Sequence, residues 1–355
     1  MKCLQVTRPG DLRSADPEKK ALMEVVEVPE PQITSPTEVK IKVAYCAICA
    51  SDPHVAMNIF GREVPYGMGH EISGVIVDMG SEVKTKGLKI GDRVAGNFLR
   101  SCGRCYHCQD GHPEFCTNAV DEGGAPGYAE YVVWDESQVW KIPDDMTLRK
   151  ACLLEPTSIA VRVTDRCDLK VGQRVAIQGG GPIGLLCAQM LKMRGATDLT
   201  VIEPREDRRG FARKFGADHI IDPTKTDVVE ECKRITNGLG YDLVIEITGV
   251  PSIATIPLKI AADGATIMYT AMYDDGYCMS LPMTDTFHNR NLTLRATKVA
   301  PFCFPRAVQI LSRMDLDDFM PISFPLTEAS KAFDAFFTTN YLKVLVNCNE
   351  DLKDA

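Results

Sequence analysis

The stretch RVAIQGGGPIGLLCAQMLKMRG, residues 174–195, sets the architecture of the region around it. An apolar, strand-like run ends in three glycines, and a helix-forming run follows them. The glycines let the backbone turn tightly and approach a dinucleotide pyrophosphate, which rests on the N-terminus of the helix. We therefore predict a dinucleotide site formed by Gly179, Gly181, Pro182, Ile183 and Gly184.

Strand-like and helix-like runs continue to alternate after this turn. LTVIEP (199–204), HIID (219–222) and DLVIEITG (242–249) are typical of strands, and polar helical runs ending in FARKFG and KRITNG separate them. This alternation predicts a parallel, doubly wound α/β sheet.

Glu203 ends the strand that follows the glycine motif, where a carboxylate can accept hydrogen bonds from the adenosine ribose. A carboxylate there would repel a ribose 2′-phosphate, which favours NAD over NADP, although Arg205 and Arg208 could hold a phosphate. The alternative for Glu203 is that it is a solvent-exposed residue at a strand end, without a role in cofactor binding. Thr248 and Gly249 are expected close to the cofactor, where small residues also serve packing.

A second motif lies upstream, in SCGRCYHCQDGHPEFC (101–116), whose cysteines have the spacing C-x2-C-x2-C-x7-C. Four thiolates with no open position suit a structural Zn²⁺, and an iron–sulfur cluster is the alternative with the same ligands. The predicted ligands are Cys102, Cys105, Cys108 and Cys116.

A third group combines a thiolate, an imidazole and a carboxylate. Cys49 lies in YCAICASDPH, and His70 and Glu71 directly precede the apolar run ISGVIV. Three mixed ligands leave a fourth position for water or substrate, which is what a catalytic zinc requires.

The motifs CASDPH, GHE, the four-cysteine loop, LEP and GGGPIG, in this order, resemble those of the zinc-dependent medium-chain dehydrogenase/reductase family. The resemblance runs from about residue 39 to the C-terminus. Within the family, the sorbitol and threonine dehydrogenase branch is the most similar. It implies a GroES-like, partly open barrel with both zinc sites, a Rossmann domain and a homo-oligomer, either dimer or tetramer. It also implies hydride transfer from a zinc-activated alcohol to a nicotinamide.

The resemblance assigns further roles within these motifs. Cys49 rather than Cys46 is the zinc ligand because it directly precedes ASD. Glu155 stands where classical alcohol dehydrogenases have a second cysteine, and the sequence does not rank it against Glu71 as a ligand. Arg208 matches a position that contacts the adenosine ribose.

Ser51 and His54 match the proton relay of the family, the hydroxyl near the substrate oxygen and the imidazole towards solvent. A turn-capping hydroxyl and a surface histidine are the alternatives. Asp52 is expected to orient His70 or the loop backbone rather than to react.

Short strand-like runs punctuated by Pro and Gly occupy the chain up to about residue 150 and favour a partly open antiparallel barrel. We therefore predict two domains, because 355 residues exceed one ordinary core. Residues 1–159 and 297–355 form the catalytic domain and residues 160–296 the NAD-binding domain.

Composition excludes several classes of protein. The net charge of −8 and the lack of a sustained basic run argue against nucleic acid as a partner. No apolar stretch reaches the length of a membrane span, and residues 1–10 lack a signal-peptide core. Fourteen cysteines without such a signal suit metal ligands and reduced thiols, so we expect a cytoplasmic protein.

The expected substrate is a small alcohol or ketone. Polyol dehydrogenases of the family carry an arginine and an asparagine where this chain has about Val299 and Phe302. If these positions and Val55, Met57, Ile59, Phe60 and Phe98 line the cleft, it is apolar, although many of them could be ordinary core. We therefore expect a secondary alcohol, cyclic alcohol or hydroxysteroid, with a polyol or L-threonine as the alternative.

Two other classes of protein are alternatives to an enzyme. A zinc-stabilised, dinucleotide-binding protein without catalysis would not need Ser51 together with Cys49, His70 and Glu71. A nucleic-acid-binding zinc module does not fit an acidic chain with one cysteine loop inside a barrel.

Overall fold

The structure is a computed structural model that describes residues 1–121, 126–273, 276–338 and 341–352. The chain divides into two compact units, the first comprising Met1–Pro156 and Phe304–Ala355 and the second Thr157–Cys303. In the described part of the chain, no helix combines the length and the apolar character needed to cross a membrane.

The strands, in chain order, are β1 (Lys2–Arg8), β2 (Leu22–Glu27), β3 (Glu38–Ala47), β4 (Tyr66–Gly67), β5 (Glu71–Met79), β6 (Arg93–Gly96), β7 (Leu99–Arg100), β8 (Val120–Asp121), β9 (Tyr131–Asp135), β10 (Val139–Lys141), β11 (Arg174–Gln178), β12 (Asp198–Ile202), β13 (His219–Ile221), β14 (Tyr241–Glu246), β15 (Ala261–Tyr269), β16 (Thr293–Ala296), β17 (Ile322–Pro325) and β18 (Val344–Asn347). The α-helices are α1 (Asp52–Ala56), α2 (Tyr106–Gln109), α3 (Leu148–Ala151), α4 (Leu154–Arg166), α5 (Pro182–Met193), α6 (Glu206–Lys214), α7 (Val228–Ile235), α8 (Ile256–Ile260), α9 (Phe304–Arg313) and α10 (Ala329–Thr338). Short 3₁₀ turns and one π-helix, Thr284–Asn289, complete the described elements.

The first unit is built on a mainly antiparallel sheet with the strand order β10-β6-β5-β3-β18-β17, in which β9 also pairs with β3. Strand β3 is buried along nearly its whole length, because neighbouring strands and α10 cover it. A second sheet, β2-β1-β4, adds Leu4 and Val6 to the same core.

Strand register in this sheet determines which residues meet at its edge. Ala47 at the end of β3 pairs with Glu71 at the start of β5. On the other side of β3, Ala47 pairs with Leu345 of β18. The loop that leaves β3 therefore begins beside both Glu71 and the residues that precede β18.

The second unit contains six parallel strands in the order β13-β12-β11-β14-β15-β16. This is the strand order of a Rossmann sheet, and it confirms the predicted parallel α/β sheet. The strand runs expected at 199–204, 219–222 and 242–249 form β12, β13 and β14. Strand β11 ends at Gln178 and α5 begins at Pro182, so the three glycines between them form the tight connection.

The units of the structure divide the chain at slightly different residues from the predicted domains. Residues 297–303, assigned to the catalytic domain from the sequence, group with the second unit. Within this segment Ala300 and Cys303 are buried. Residues 157–159 also group with the second unit, and residues 353–355 of the predicted domain lie outside the described residues.

Candidate metal centres and dinucleotide site

The four cysteines of the loop between β7 and β8 converge on one point. The sulfur atoms of Cys102, Cys105, Cys108 and Cys116 lie within 4.8 Å of one another. The Cys105 Sγ is 3.5 Å from the Cys108 Sγ and 3.8 Å from the Cys116 Sγ. A tetrahedral zinc with Zn–S bonds of about 2.3 Å requires sulfur–sulfur distances of about 3.8 Å, so this set fits a closed structural site.

Backbone donors around this loop favour thiolates. The Cys102 N–H donates to the Cys116 Sγ and the Cys105 N–H to the Cys102 Sγ, both at 3.3 Å. Hydrogen bonds from the backbone of Cys108 and Thr117 lower the pKa of the Cys105 thiol to about 5. Metal ligation needs the deprotonated sulfur, so hydrogen bonds from the loop backbone that stabilise a thiolate also favour metal binding.

The second metal candidate brings Cys49, His70 and Glu71 together. Their ligand atoms lie within 4.8 Å of one another, with His70 and Glu71 buried and Cys49 half-buried. The β3–β5 register places the carboxylate beside the loop that carries the thiol. In the sequence Cys46 was the competing thiol, but it lies in the core, where burial raises its pKa far above the usual value.

Asp52 faces the imidazole of this cluster. The Asp52 side chain is fully buried, and its Oδ1 lies 3.7 Å from the His70 Nδ1. This leaves the His70 Nε2 as the nitrogen available to a metal. The Asp52 Oδ2 accepts hydrogen bonds from the Cys49 N–H at 2.8 Å and from the Tyr128 hydroxyl at 2.6 Å.

Negatively charged groups surround the His70 imidazole. Burial alone would lower the pKa of His70, but the Cys49 thiolate, Asp52 and Glu155 raise it to about 10. Such a site attracts a cation, and a divalent metal can replace the proton on the imidazole.

Lys343 forms a buried ion pair with Glu71. Its Nζ donates to both carboxylate oxygens, at 2.5 and 2.6 Å, and to the Ile48 carbonyl at 3.1 Å. Both side chains are almost fully buried. Burial would lower the pKa of Lys343, but the facing Glu71 carboxylate outweighs it and raises that pKa. Both oxygens of the Glu71 carboxylate are therefore engaged by the lysine, while the same carboxylate lies beside Cys49 and His70.

Glu155, the other predicted carboxylate ligand, lies at the start of α4 and is buried. It is not among the three residues whose ligand atoms lie within 4.8 Å of one another in the described structure. Burial raises the pKa of Glu155 to about 7, against the opposing charge of His70. Its charge in turn acts on His70, so it lies within electrostatic reach of the cluster.

Ser51 and His54 lie at the start of α1, next to the cluster in the chain. Ser51 occupies the N-cap position, yet its side chain makes no capping hydrogen bond. Its hydroxyl is therefore not committed to the helix, which weakens the capping alternative. His54 follows three residues later, on the same turn, and is half-buried.

Apolar side chains flank this site unequally. The Phe98 ring lies 5.0 Å from the His70 ring, centroid to centroid. Val55 belongs to the hydrophobic core, whereas Ile59 and Phe60 are exposed. Phe98, one of the residues expected to line a pocket, is thus in ring contact with a predicted metal ligand.

The glycine turn of the second unit has the geometry that its motif predicts. Gly179 has a φ of +117°, which is unfavourable for residues with a side chain. A Cβ on Gly184 would lie 2.0 Å from the Gly179 carbonyl oxygen, so α5 can approach β11 only with glycine there. The turn keeps its backbone open in the way a pyrophosphate site requires.

Glu203 is bound to this turn rather than solvated. Its Oε2 accepts a hydrogen bond from the Gly180 N–H at 2.7 Å, and its Oε1 accepts one from the Arg205 N–H at 2.9 Å. Arg208 lies beside it, with Nη1 at 3.9 Å from Oε2. The carboxylate is thus held at the tip of β12, directly against the glycine motif.

Thr248 packs against the same turn, since a Cβ on Gly179 would lie 2.9 Å from its methyl group. Its N–H and hydroxyl both donate to Glu246, a fully buried carboxylate at the end of β14. The Tyr273 hydroxyl donates to the other Glu246 oxygen at 2.5 Å.

Sequence reasoning did not identify Lys343, Tyr128 or Glu246. Lys343 is a charged residue in the apolar run YLKVLV, a departure that could have marked a buried ion pair. Glu246 likewise follows the apolar run DLVI. Tyr128 gives no such signal, because a tyrosine in GYAEY is unremarkable in a strand region.

Comparison with known proteins agrees with this architecture. The sequence model of the alcohol dehydrogenase GroES-like domain matches residues 35–144, and that of the zinc-binding dehydrogenase domain matches residues 182–313. Scyllo-inosose 3-dehydrogenase from Thermotoga maritima is 33% identical over 360 residues, covering 92% of this chain and 90% of that protein. L-threonine 3-dehydrogenase from Pyrococcus furiosus is 38% identical over 243 residues, covering 66% and 68%.

A solved structure gives the same result. A zinc-binding dehydrogenase from Sinorhizobium meliloti, bound to NADP, superposes with a TM-score of 0.86 at 29% identity. The superposition covers 98% of this chain and 100% of that one.

The chain therefore belongs to the zinc-dependent alcohol dehydrogenase family, in its sorbitol and threonine dehydrogenase-like branch. It is an oxidoreductase that acts on CH–OH donors, with zinc and a nicotinamide dinucleotide as the cofactors of its family. The predicted fold class, a GroES-like domain with a Rossmann domain, is confirmed.

Proposed function

We propose that the first unit is the catalytic domain and that it holds a catalytic zinc at Cys49, His70 and a glutamate. The main support for this proposal is that a thiol, an imidazole and a carboxylate converge beside the buried Asp52. Glu71 is the glutamate within the cluster, while Glu155 can enter the site from α4. The four-cysteine loop holds the structural zinc.

Zinc would supply a Lewis acid that makes the substrate hydroxyl acidic near neutral pH, and a nicotinamide would accept the hydride. The chain's own residues then bind and orient the substrate and move its proton. Asp52 fixes the His70 ring, and Lys343 offsets part of the negative charge of the cluster. Phe98 presents an apolar ring beside the site.

The proton released by the alcohol has a route along α1. We assign Ser51 as the group that takes it from the substrate hydroxyl and His54 as the group that passes it to solvent. The Ser51 hydroxyl makes no capping hydrogen bond to α1, and His54 is half-buried, which supports transfer of the proton from Ser51 to His54.

His54→Ala is expected to slow alcohol oxidation most at low pH, where solvent bases are scarce, and to leave the zinc content unchanged. Added buffer bases should restore part of the rate. The pH–rate profile of kcat with and without buffer base measures this, with His219→Ala in the second unit as the matched control. An unchanged profile in His54→Ala would remove the residue from the relay.

NAD is the proposed cofactor. Glu203 is fixed by two backbone N–H groups at the tip of β12, where its charge would oppose a 2′-phosphate. The predicted contacts are Gly179, Gly181, Pro182, Ile183, Gly184, Glu203, Arg208 and Thr248. The NADP bound to the Sinorhizobium protein is the reason to keep NADP as the alternative, with Arg208 as its partner.

The proposed substrate is a secondary alcohol with a sizeable apolar body, such as a cyclic alcohol or a hydroxysteroid. A polyol hydroxyl buried without a partner costs about 1–3 kcal/mol, whereas apolar surface gains roughly 25 cal/mol per Å2. Phe98 at the metal cluster supports an apolar site. The second candidate is a polar substrate, because named relatives act on scyllo-inosose and on L-threonine.

A substrate panel tests these proposals together. Purified protein with zinc is incubated with NAD or NADP and with cyclic alcohols, hydroxysteroids, medium-chain secondary alcohols, polyols and L-threonine, and NAD(P)H absorbance is followed. The highest kcat/KM is expected for an apolar secondary alcohol with NAD. Efficient turnover of polyols or threonine alone would replace the apolar proposal by the second candidate.

We propose a cytoplasmic location for this protein. All fourteen cysteines, which lie in the described part of the chain, are free, as expected in a reducing compartment such as the cytoplasm. We propose a homodimer or homotetramer with neither nucleic acid nor membrane as partner, and light scattering of the purified protein distinguishes these states from a monomer.

A further inference from the structure

Tyr128 is a buried tyrosine whose hydroxyl is linked through Asp52 to the Cys49, His70 and Glu71 cluster. Its side chain is fully buried and packs edge-on against Phe333, with ring centroids 5.6 Å apart. The hydroxyl lies 2.6 Å from the Asp52 Oδ2 and 3.2 Å from the Ala47 carbonyl oxygen. A phenol has a single proton to donate, and the carboxylate oxygen of Asp52 is the nearer of the two acceptors, so the Tyr128 hydroxyl donates to Asp52.

The Asp52 carboxylate faces three groups of the site. Its Oδ2 accepts hydrogen bonds from the Tyr128 hydroxyl and from the Cys49 N–H. Its Oδ1 has no hydrogen-bond partner among the described residues and points to the His70 Nδ1, 3.7 Å away. Two donors on one oxygen thus fix the carboxylate plane, and the plane aims the remaining oxygen at the imidazole.

We infer that Tyr128 is a positioning residue for the metal centre, acting through Asp52 on both Cys49 and His70. The inference rests on the proposed metal site at Cys49 and His70. Without the phenol, Asp52 would keep one donor and could rotate about its Cβ–Cγ bond, which would release the imidazole from its fixed orientation. Groups that orient a metal-binding histidine typically contribute about 10- to 100-fold to metal affinity.

Tyr128→Phe tests this inference, because it removes the hydroxyl and keeps the ring against Phe333. Tyr66→Phe is the matched control, since Tyr66 is also buried in the first unit and its hydroxyl donates to the Val55 carbonyl oxygen at 2.7 Å. That control loses a comparable hydrogen bond without touching Asp52. Zinc affinity is measured for both variants and the wild type by chelator competition, and the melting temperature is recorded in parallel.

In Tyr128→Phe we expect about a 10-fold loss of zinc affinity at the proposed Cys49–His70 site, with the affinity of the four-cysteine site unchanged. Tyr66→Phe should bind zinc like the wild type. Cobalt substitution provides a second readout, because a reoriented imidazole should shift the visible absorption of that one site in Tyr128→Phe alone. Equal zinc affinity in Tyr128→Phe and wild type, or an equal loss in Tyr66→Phe, would overturn the inference. If the wild type itself binds a single zinc, the proposed metal site fails instead.

Discussion

Replacing Cys49 with alanine is expected to remove one of two zinc ions per chain and to abolish turnover while the protein stays folded. The lost metal supplies several kcal/mol of transition-state stabilisation, so kcat should fall by about 10³-fold or more. The fold should persist because the Cys49 N–H, which donates to Asp52, remains in the variant. Elemental analysis, circular dichroism and steady-state kinetics measure the three effects.

Cys46→Ala is the matched control, because Cys46 lies three residues earlier in the same segment and is buried in the core. It should keep both zinc ions and most of the activity, at a modest cost in stability from the small cavity. A Cys49→Ala protein that retains two zinc ions and turns over substrate would show that the catalytic site lies elsewhere.

The second large effect is expected at the other metal site, where Cys105→Ser should destabilise the protein. The loop has sparse secondary structure: α2 has four residues, none of them buried, β7 and β8 have two residues each, and a 3₁₀ turn buries Pro113 and Glu114. Zinc binding free energy is folding free energy in such a segment, roughly 10–16 kcal/mol in isolated zinc fingers. Losing even a quarter of it should lower the melting temperature by about 10 °C.

Thermal denaturation followed by circular dichroism, together with zinc content, measures this effect. Cys278→Ser is the control, because Cys278 is an exposed cysteine of the second unit and should leave both quantities unchanged. Cys105→Ser with the wild-type melting temperature and two zinc ions would show that the loop holds no structural metal. A chelator that strips zinc from the wild type should reproduce the variant's loss of stability.

The predictable parts of this protein are those in which neighbours in the chain are also neighbours in space. The cysteine loop contains its four proposed ligands within 15 residues, and the glycine motif spans the end of β11 and the first turn of α5. In both, local backbone geometry determines the arrangement, so spacing and residue type suffice. The alternation of runs likewise indicated the parallel sheet, since each strand–helix pair is a local pattern.

The electrostatic surroundings of the second metal cluster depend on residues far apart in the chain. Lys343 and Glu71 are 272 residues apart, and Tyr128 and Asp52 are 76 apart. Residue types in two short motifs suggested Cys49, His70 and Glu71 as ligands, and the resemblance to a family added Glu155. Neither gave a partner for Glu71 or a donor for Asp52. Those partners depend on which strands pair and in which register.

What the sequence by itself determined is the family, the two metal motifs and the dinucleotide turn, because each is a short pattern with its own chemistry. Tertiary structure alone decided that Glu71 faces a buried lysine, that Asp52 is held by a phenol and that Glu203 is bound to the glycine turn. The physical reason is that a buried charge needs a partner in a low-dielectric interior, and sheet register selects which distant residue supplies it.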